Sequence, residues 1–193
     1  MTASEEFILV MKLIYERALE IVQKPATNPE MLWMLIPMLV SLFLIELYFG
    51  RYTEEELGWN SAVSNALVLF FVGINLASWL YNHGMLVGFV SVDATILDIA
   101  LKKTFIAALV IIESALLLFL NFFHLVVKRF SFGISSGLII NFVGAISIIL
   151  VYSDVPLDIA TFPAILLIFI ALVIFFWIIR LIEPKAKENS EEE

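Results

Sequence analysis

The chain has 193 residues, of which 62% are hydrophobic and 16% charged, and its formal net charge at pH 7 is −8. Soluble domains carry about 25% charged residues, so this composition indicates a membrane protein. The acidic balance argues against a nucleic-acid-binding protein, which needs a basic face, and the absence of cysteine excludes disulfides, thiolate catalysis and cysteine-ligated metals.

The first 29 residues are predicted to form an amphipathic helix and a linker. Between Ser4 and Gln23, most charged side chains fall on one arc of the helix and most apolar ones on the other. This pattern is typical of a helix that lies in the membrane interface, and equally of a polar-faced helix packed on the ends of a bundle. No cleavable signal sequence is expected, because the chain does not open with a basic segment, a short apolar stretch and a cleavage site.

Five apolar segments follow, and each is long enough to cross a bilayer as a helix, which takes about 20 residues. We predict spans at about 30–50, 57–81, 104–127, 132–152 and 163–182, and a charged, disordered tail over 183–193. The predicted fold class is an all-α integral membrane protein, in which a five-span helical bundle follows the amphipathic interfacial helix.

Local signals set several of these boundaries. Asn28 followed by Pro29 predicts the N-cap and the first residue of span one. Thr53 and Glu56 form a capping box that predicts the start of span two. Asn82–Leu101 is expected to be a loop followed by an interfacial extension of span three.

The third span carries a polar stripe. On a helical wheel Glu113, Ser114, Asn121, His124 and Lys128 share an arc of roughly 100°. Glu113 lies near the midpoint of the span, where insertion of an acidic or basic residue costs about 2.5–3.5 kcal/mol, so such a group is normally turned inward. Because a carboxylate in hydrocarbon is energetically unfavourable, one without a role is unexpected, and a functional role is favoured for Glu113.

The predicted polar groups are unevenly distributed in depth. Five spans place the termini on opposite sides, which we call side A, where the N-terminal segment lies, and side B. Polar side chains concentrate towards side B: Glu46, Asn60, Ser61, Ser64, Asn65, Asn121, His124, Ser135, Ser136 and Asn141. They predict either a vestibule leading to the midplane carboxylate or interhelical hydrogen bonds that lock the bundle, and for the Asn and Ser residues the second interpretation is favoured.

The segment Glu46–Asn60 combines acidic, aromatic and basic residues at a membrane boundary. Its aromatic rings are typical of an interfacial belt, and Arg51 is expected to form a local ion pair with Glu46 or Glu55. A binding role for this loop, including Arg51, is the alternative.

The last two spans differ in character. Span four is rich in small residues, and Gly133 with Gly137 forms a GxxxG step, which indicates close helix packing within the bundle or between copies of the chain. Span five is apolar all round before Arg180, so we expect it to be peripheral and to face lipid.

The sequence offers little support for catalysis or metal binding. Gly133–Gly137 matches the pattern G-x-S-x-G and His124 lies at a similar depth, so an intramembrane Ser–His hydrolase is a remote alternative. His83 and His124 are expected on opposite sides, and no pair of metal-ligating residues has suitable spacing on one helix. No catalytic residue, metal or cofactor is therefore predicted.

The sequence predicts a multi-pass protein of the cell membrane that forms an ion, proton or small-solute pathway. The candidate pathway or binding residues are Glu113, His124, Asn121, Glu46, Asn60, Ser64, Arg51 and Asn141. The alternative is a non-catalytic scaffold or accessory subunit of a larger membrane complex. Expected partners are the lipid bilayer and a second copy of the chain or another membrane subunit. Since the loop at 153–162 has no basic residue, side B is expected to be cytoplasmic.

Overall fold

The computed structural model describes residues 3–52 and 58–182, and within these ranges it contains helices and loops but no strand. The helices are α1 (Ala3–Gln23), α2 (Pro29–Arg51), α3 (Trp59–Asn82), α4 (Leu97–Phe122), α5 (Lys128–Ile134), α6 (Gly137–Tyr152) and α7 (Thr161–Ile182), with a 3₁₀ turn at Lys24–Thr27. The predicted capping box at Thr53 and Glu56 and the tail over 183–193 lie outside the described residues.

Five helical segments in the described ranges are long and apolar enough to cross a membrane. They are α2, α3, α4, the α5–α6 segment and α7, with lengths of 22 to 26 residues. The prediction of an all-helical chain with five such segments is confirmed. The start of α2 also follows the sequence signal, since the Asn28 side chain accepts a hydrogen bond of 3.2 Å from the backbone N–H of Met31.

The third segment ends earlier than predicted. Helix α4 runs from Leu97 to Phe122, so its start agrees with the predicted extension ahead of residue 104, whereas its end falls short of the predicted residue 127. The chain leaves the helix through His124, whose φ of 53° lies in the left-handed region and whose ring stacks on Trp59 at 4.1 Å. A left-handed residue cannot continue an α-helix, so placing His124 and Lys128 on the polar stripe of this helix was wrong.

The fourth segment is not one helix. Helix α5 ends at Ile134 and α6 starts at Gly137, where the Ser136 side chain caps α6 by accepting a 3.4 Å hydrogen bond from the N–H of Ile139. Serine favours N-caps because its hydroxyl satisfies a backbone donor that has no partner inside the helix. Gly133 and Gly137 therefore belong to different helices, and the expected GxxxG face of a single helix is not formed.

Helix α6 is the centre of the bundle. It is buried along most of its length and packs against α2, α3 and α4, while α3 and α4 form the most extensive helix pair. Small residues face the partners: a side chain at Gly137 would meet Ile45 of α2, and one at Gly73 of α3 would meet Ile111 of α4. Small residues at these contacts let the backbones approach closely, which is also how helices pack in membrane bundles.

Helix α7 lies at the periphery, as predicted. It packs on α1 and α2, and its buried residues are Thr161, Ala164 and Phe176. The remaining surface of this helix is largely apolar and turned outward.

Helix α1 is anchored through its last two turns. Arg17, Ala18 and Ile21 are buried there, and the Arg17 guanidinium donates hydrogen bonds of 2.7 Å to both Glu20 and Asp158. In the first turns large apolar side chains such as Phe7 stay exposed. One end of the helix thus packs on the bundle, while the other presents apolar surface.

Candidate functional site

Glu113 lies in the middle part of α4, on the flank of the face that packs into the bundle. Its neighbour Ser114 is fully buried and donates a 2.6 Å hydrogen bond to the carbonyl of Val110 in the same helix. Glu113 is half-buried, and within the described part of the chain its carboxylate has no hydrogen bond or ion pair.

The neighbouring contacts define the direction in which Glu113 is turned. Ile111 packs on Gly73 of α3, and at 100° per residue Glu113 lies roughly 200° further round the helix. Glu113 is therefore turned away from α3, towards the outer edge of the bundle. The described part of one chain thus encloses the carboxylate only in part.

On side B, a hydrogen-bonded cluster joins three helical segments. Asn121 of α4 donates 3.2 and 2.8 Å hydrogen bonds to the carbonyl of Ala62 and to Ser135 Oγ, and its side-chain oxygen accepts a hydrogen bond from Ser131. Asn65 donates a 2.7 Å hydrogen bond to the carbonyl of Ser135. Asn121, Ser131 and Ser135 are fully buried, so this cluster closes the bundle at the break between α5 and α6.

Other predicted residues of the side-B vestibule lie elsewhere. Asn60 and Ser64 are exposed, as is Arg51, whose guanidinium lies 5.9 Å from the centre of the Tyr52 ring. His124 is exposed as well. The inward face of α3 instead carries small residues such as Ala62, because they allow α4 to approach closely. These positions do not bring the polar groups together in one vestibule, whereas the bonds of Asn65 and Asn121 agree with the favoured interpretation of interhelical hydrogen bonds.

The Ser–His pair suggested by the sequence does not form. Ser135 Oγ is fully buried and accepts a hydrogen bond from Asn121, whereas the His124 ring is exposed and stacked on Trp59. A nucleophilic serine needs a base within hydrogen-bond reach. Within the described residues there is also no group of three metal-ligating side chains that could hold a metal ion.

Glu46 is buried and forms an ion pair that the sequence did not predict. Its carboxylate accepts a hydrogen bond from Arg180 of α7, not from Arg51 as expected. The side chain of Glu46 is 6% exposed and that of Arg180 is 47% exposed. The pair connects the side-B ends of α2 and α7.

We expect Arg180→Gln to lower the free energy of unfolding by about 1–2 kcal/mol, because it leaves a buried carboxylate without its cation. The half-exposed position of Arg180 keeps the effect below that of a fully buried pair. Unfolding in mixed detergent measures the change, and Arg51→Gln, an exposed arginine at the same end, is the matched control. Equal stability losses in both variants would show that the pair contributes nothing specific.

Asn141 lines a groove and not the side-B cluster. Its amide donates a 2.8 Å hydrogen bond to the carbonyl of Gly137, one turn earlier in α6. The groove has a volume of about 470 Å³ and lies between α2 and α3, with Ser41 and Asn75 as further polar lining residues. It is therefore a largely apolar groove with few polar groups.

The structure adds a site on side A that sequence reasoning missed. Lys103 of α4 is 6% exposed, and its ammonium group donates a 2.8 Å hydrogen bond to the carbonyl of Ser153. The same ammonium lies 5.6 Å from the centre of the Trp79 ring, which stacks between His83 and Tyr152 at 3.9 and 4.6 Å. A usable signal was present, since Lys103 shares the helical period of the buried residues of α4.

Comparison of the chain with protein-family models, with curated proteins and with solved structures gave no match.

Proposed function

We propose that this chain is an integral multi-pass protein of the cell membrane in which Glu113 is the exchanging group of a proton or cation pathway. The observation that carries the proposal is the half-buried carboxyl in the middle of α4, which has no partner in the described part of the chain. Carboxyl groups at this depth commonly serve proton or ion transfer, because they are costly to keep without a role.

The pathway is completed by a second copy of the chain at the outer flank of α4. Leu109 and Leu116 lie about one turn on either side of Glu113 and are exposed. They offer apolar surface on which a neighbouring helix can pack while it encloses the carboxyl. A single copy would leave Glu113 partly in contact with hydrocarbon, and pairing of protomers removes that penalty.

Glu113→Gln should reduce proton or cation flux by about tenfold or more, because glutamine keeps the shape and hydrogen-bonding capacity but does not exchange a proton. Flux is measured in vesicles containing purified protein, with a pH-sensitive dye inside and an imposed proton or cation gradient. Glu30→Gln is the matched control, since Glu30 is exposed at the side-A start of α2. Flux that survives Glu113→Gln would overturn the proposed mechanism.

Cysteine cross-linking tests the second protomer separately. The chain contains no cysteine, so single cysteines need no background mutations. Leu109→Cys and Leu116→Cys should form disulfide-linked dimers in membranes, whereas Ile111→Cys, on the flank that packs on α3, should not. Absence of dimers at both leucine positions would place the pathway outside a homo-oligomer.

The second candidate function is that of a non-catalytic accessory subunit. The closed hydrogen-bonded cluster around Asn121 favours it, because this cluster blocks a continuous polar path at side B within one chain. Complete absence of flux in vesicles of folded wild-type protein would favour this function over the pathway.

A further inference from the structure

A cavity of about 590 Å³ opens at the side-A end of the bundle, between the start of α4 and the loop that joins α6 to α7. This volume is in the range of ligand pockets in proteins, about 300–1,000 Å³. Much of its lining is apolar, and that part consists of Met85, Ile96, Ile99, Val155, Pro156 and Leu157. The cavity is thus suited to hydrocarbon as well as to a polar group.

Lys103 is the charged group at the buried side of this cavity. An ammonium group has three donors, and the described contacts of Lys103 use one of them, on the carbonyl of Ser153. Within the described residues no carboxylate lies within ion-pair distance of its nitrogen, and Asp154, further away, is the carboxylate that attracts it electrostatically. A buried cation of this kind is stabilised by an anion that brings hydrogen-bond acceptors into the cavity.

Two carboxylates, those of Asp154 and Asp158, also line the cavity, and each forms an ion pair with a cation other than Lys103. Asp154 pairs with Lys24, and Asp158 lies 2.7 Å from a guanidinium nitrogen of Arg17. The hydrogen bond from Lys24 holds the pKa of the Asp154 carboxyl below its ordinary value, so the carboxylate stays charged and paired. These pairs reduce the repulsion that an incoming anion would meet.

Lys102 also lines the cavity, but it does not share the buried position of Lys103. Its ammonium group lies 2.8 Å from a carboxylate oxygen of Asp98, and its side chain is 48% exposed. The two adjacent lysines therefore offer a matched comparison of a buried and an exposed cation at the same end of α4.

We propose that this cavity binds the anionic phosphate headgroup of a membrane amphiphile, with Lys103 as the phosphate ligand and the apolar wall as the site of the acyl chain. Basic pockets between helices at a membrane surface bind anionic lipid headgroups in this way. The cavity lies at the end of α4, where the headgroup layer is expected if α4 spans the bilayer. The site does not depend on Glu113 or on ion flux.

Trp79 provides the reporter for a test, because its ring lies 5.6 Å from the Lys103 nitrogen and stacks on Tyr152, a lining residue. The full-length protein is prepared with Trp33, Trp59 and Trp177 replaced by phenylalanine. It is reconstituted in vesicles containing increasing fractions of brominated phosphatidylglycerol or brominated phosphatidylcholine. Quenching of Trp79 fluorescence should show a preference of about fivefold or more for the anionic lipid.

Lys103→Gln should remove this preference, whereas Lys102→Gln, which changes the net charge equally, should retain it. Ile99→Phe leaves Lys103 in place but narrows the apolar part of the cavity, and should weaken quenching by the anionic lipid. This second variant keeps the test informative if Lys103→Gln does not fold.

Three outcomes would overturn the proposal: equal quenching by the two lipids in the protein that retains only Trp79, an unchanged preference in Lys103→Gln, or full displacement of the brominated lipid by millimolar inorganic phosphate. The last result would mean that the site binds a free anion without an acyl chain. Displacement by a short-chain phosphatidylglycerol, with no effect of phosphate, would support the amphiphile.

Discussion

Replacement of Asn121 by leucine is expected to destabilise the protein by about 2–4 kcal/mol. The change removes the hydrogen bonds to the Ala62 carbonyl, Ser135 and Ser131. Interhelical hydrogen bonds inside membranes contribute about 0.6–2 kcal/mol each, and buried polar groups left without partners add about 1–3 kcal/mol. The estimate stays below the simple sum because the two serines can turn to carbonyls of their own helices.

The free energy of unfolding in mixed detergent measures this effect, and Asn60→Leu is the matched control. Asn60→Leu makes the same chemical change at the same side of the bundle, on α3, but the side chain of Asn60 is exposed. We expect its effect to stay within about 0.5 kcal/mol. Losses of similar size for the two asparagines would mean that the cluster does not hold the α5–α6 break in place.

The presence of the helices could be predicted from the sequence, because helix formation depends on local properties of the chain. Apolar length defines a helix that can cross a membrane, and Asn28 with Pro29 defines the start of α2. The peripheral position of α7 also followed, since a helix that is apolar all round has no face that must be buried.

The hydrogen-bond and ion-pair partners of the polar residues could not be predicted from the sequence, because they come from distant parts of the chain. Asn121 bonds to Ala62 and Ser135, and Glu46 pairs with Arg180, 134 positions away. Helical periodicity places such residues on an arc, but it does not state which helix lies opposite. The same limit applies to Asn60, whose side chain is exposed.

Local periodicity also failed where tertiary contacts end a helix. An apolar run predicts continuation through Ser135 and Ser136, but the cluster around Asn121 and the cap of α6 stabilise a break there. Lys103 shows the opposite case. A lysine near the end of an apolar segment is expected at the membrane surface, yet the Ser153 carbonyl and the Trp79 ring hold Lys103 inside the bundle.

The positions of the polar and charged side chains distinguish three regions of the bundle. The side-B end is closed by satisfied hydrogen bonds, the side-A end holds a cavity with a buried cation, and Glu113 lies between them on an outer flank. A pathway through one chain would have to cross the closed end. A pathway along the flank of α4 avoids it, which is why the proposed function requires a second protomer.

Substitution of Gly73 by alanine is expected to lower the free energy of unfolding by about 1–3 kcal/mol, and Gly73→Leu by more. An added Cβ would lie 2.7 Å from Ile111 Cγ1, 3.1 Å from the Ile111 backbone nitrogen and 3.3 Å from its Cα. Backbone atoms cannot rotate away as a side chain does, so α3 and α4 must separate. Separation also lengthens the Asn121 hydrogen bond to Ala62, because both contacts join the same two helices.

Alanine substitutions at two further glycines allow the expected stability changes to be ranked and tested by unfolding measurements. Gly144→Ala should cost less than Gly73→Ala, because the atom it meets is the end of the Met38 side chain, which lines the groove between α2 and α3 and has space to move. Gly133→Ala should stabilise by about 0.5–1 kcal/mol, since nothing lies within 4 Å and alanine favours a helix. If Gly73→Ala proved as harmless as Gly133→Ala, the close approach of α3 and α4 would be refuted, and with it the outward direction assigned to Glu113.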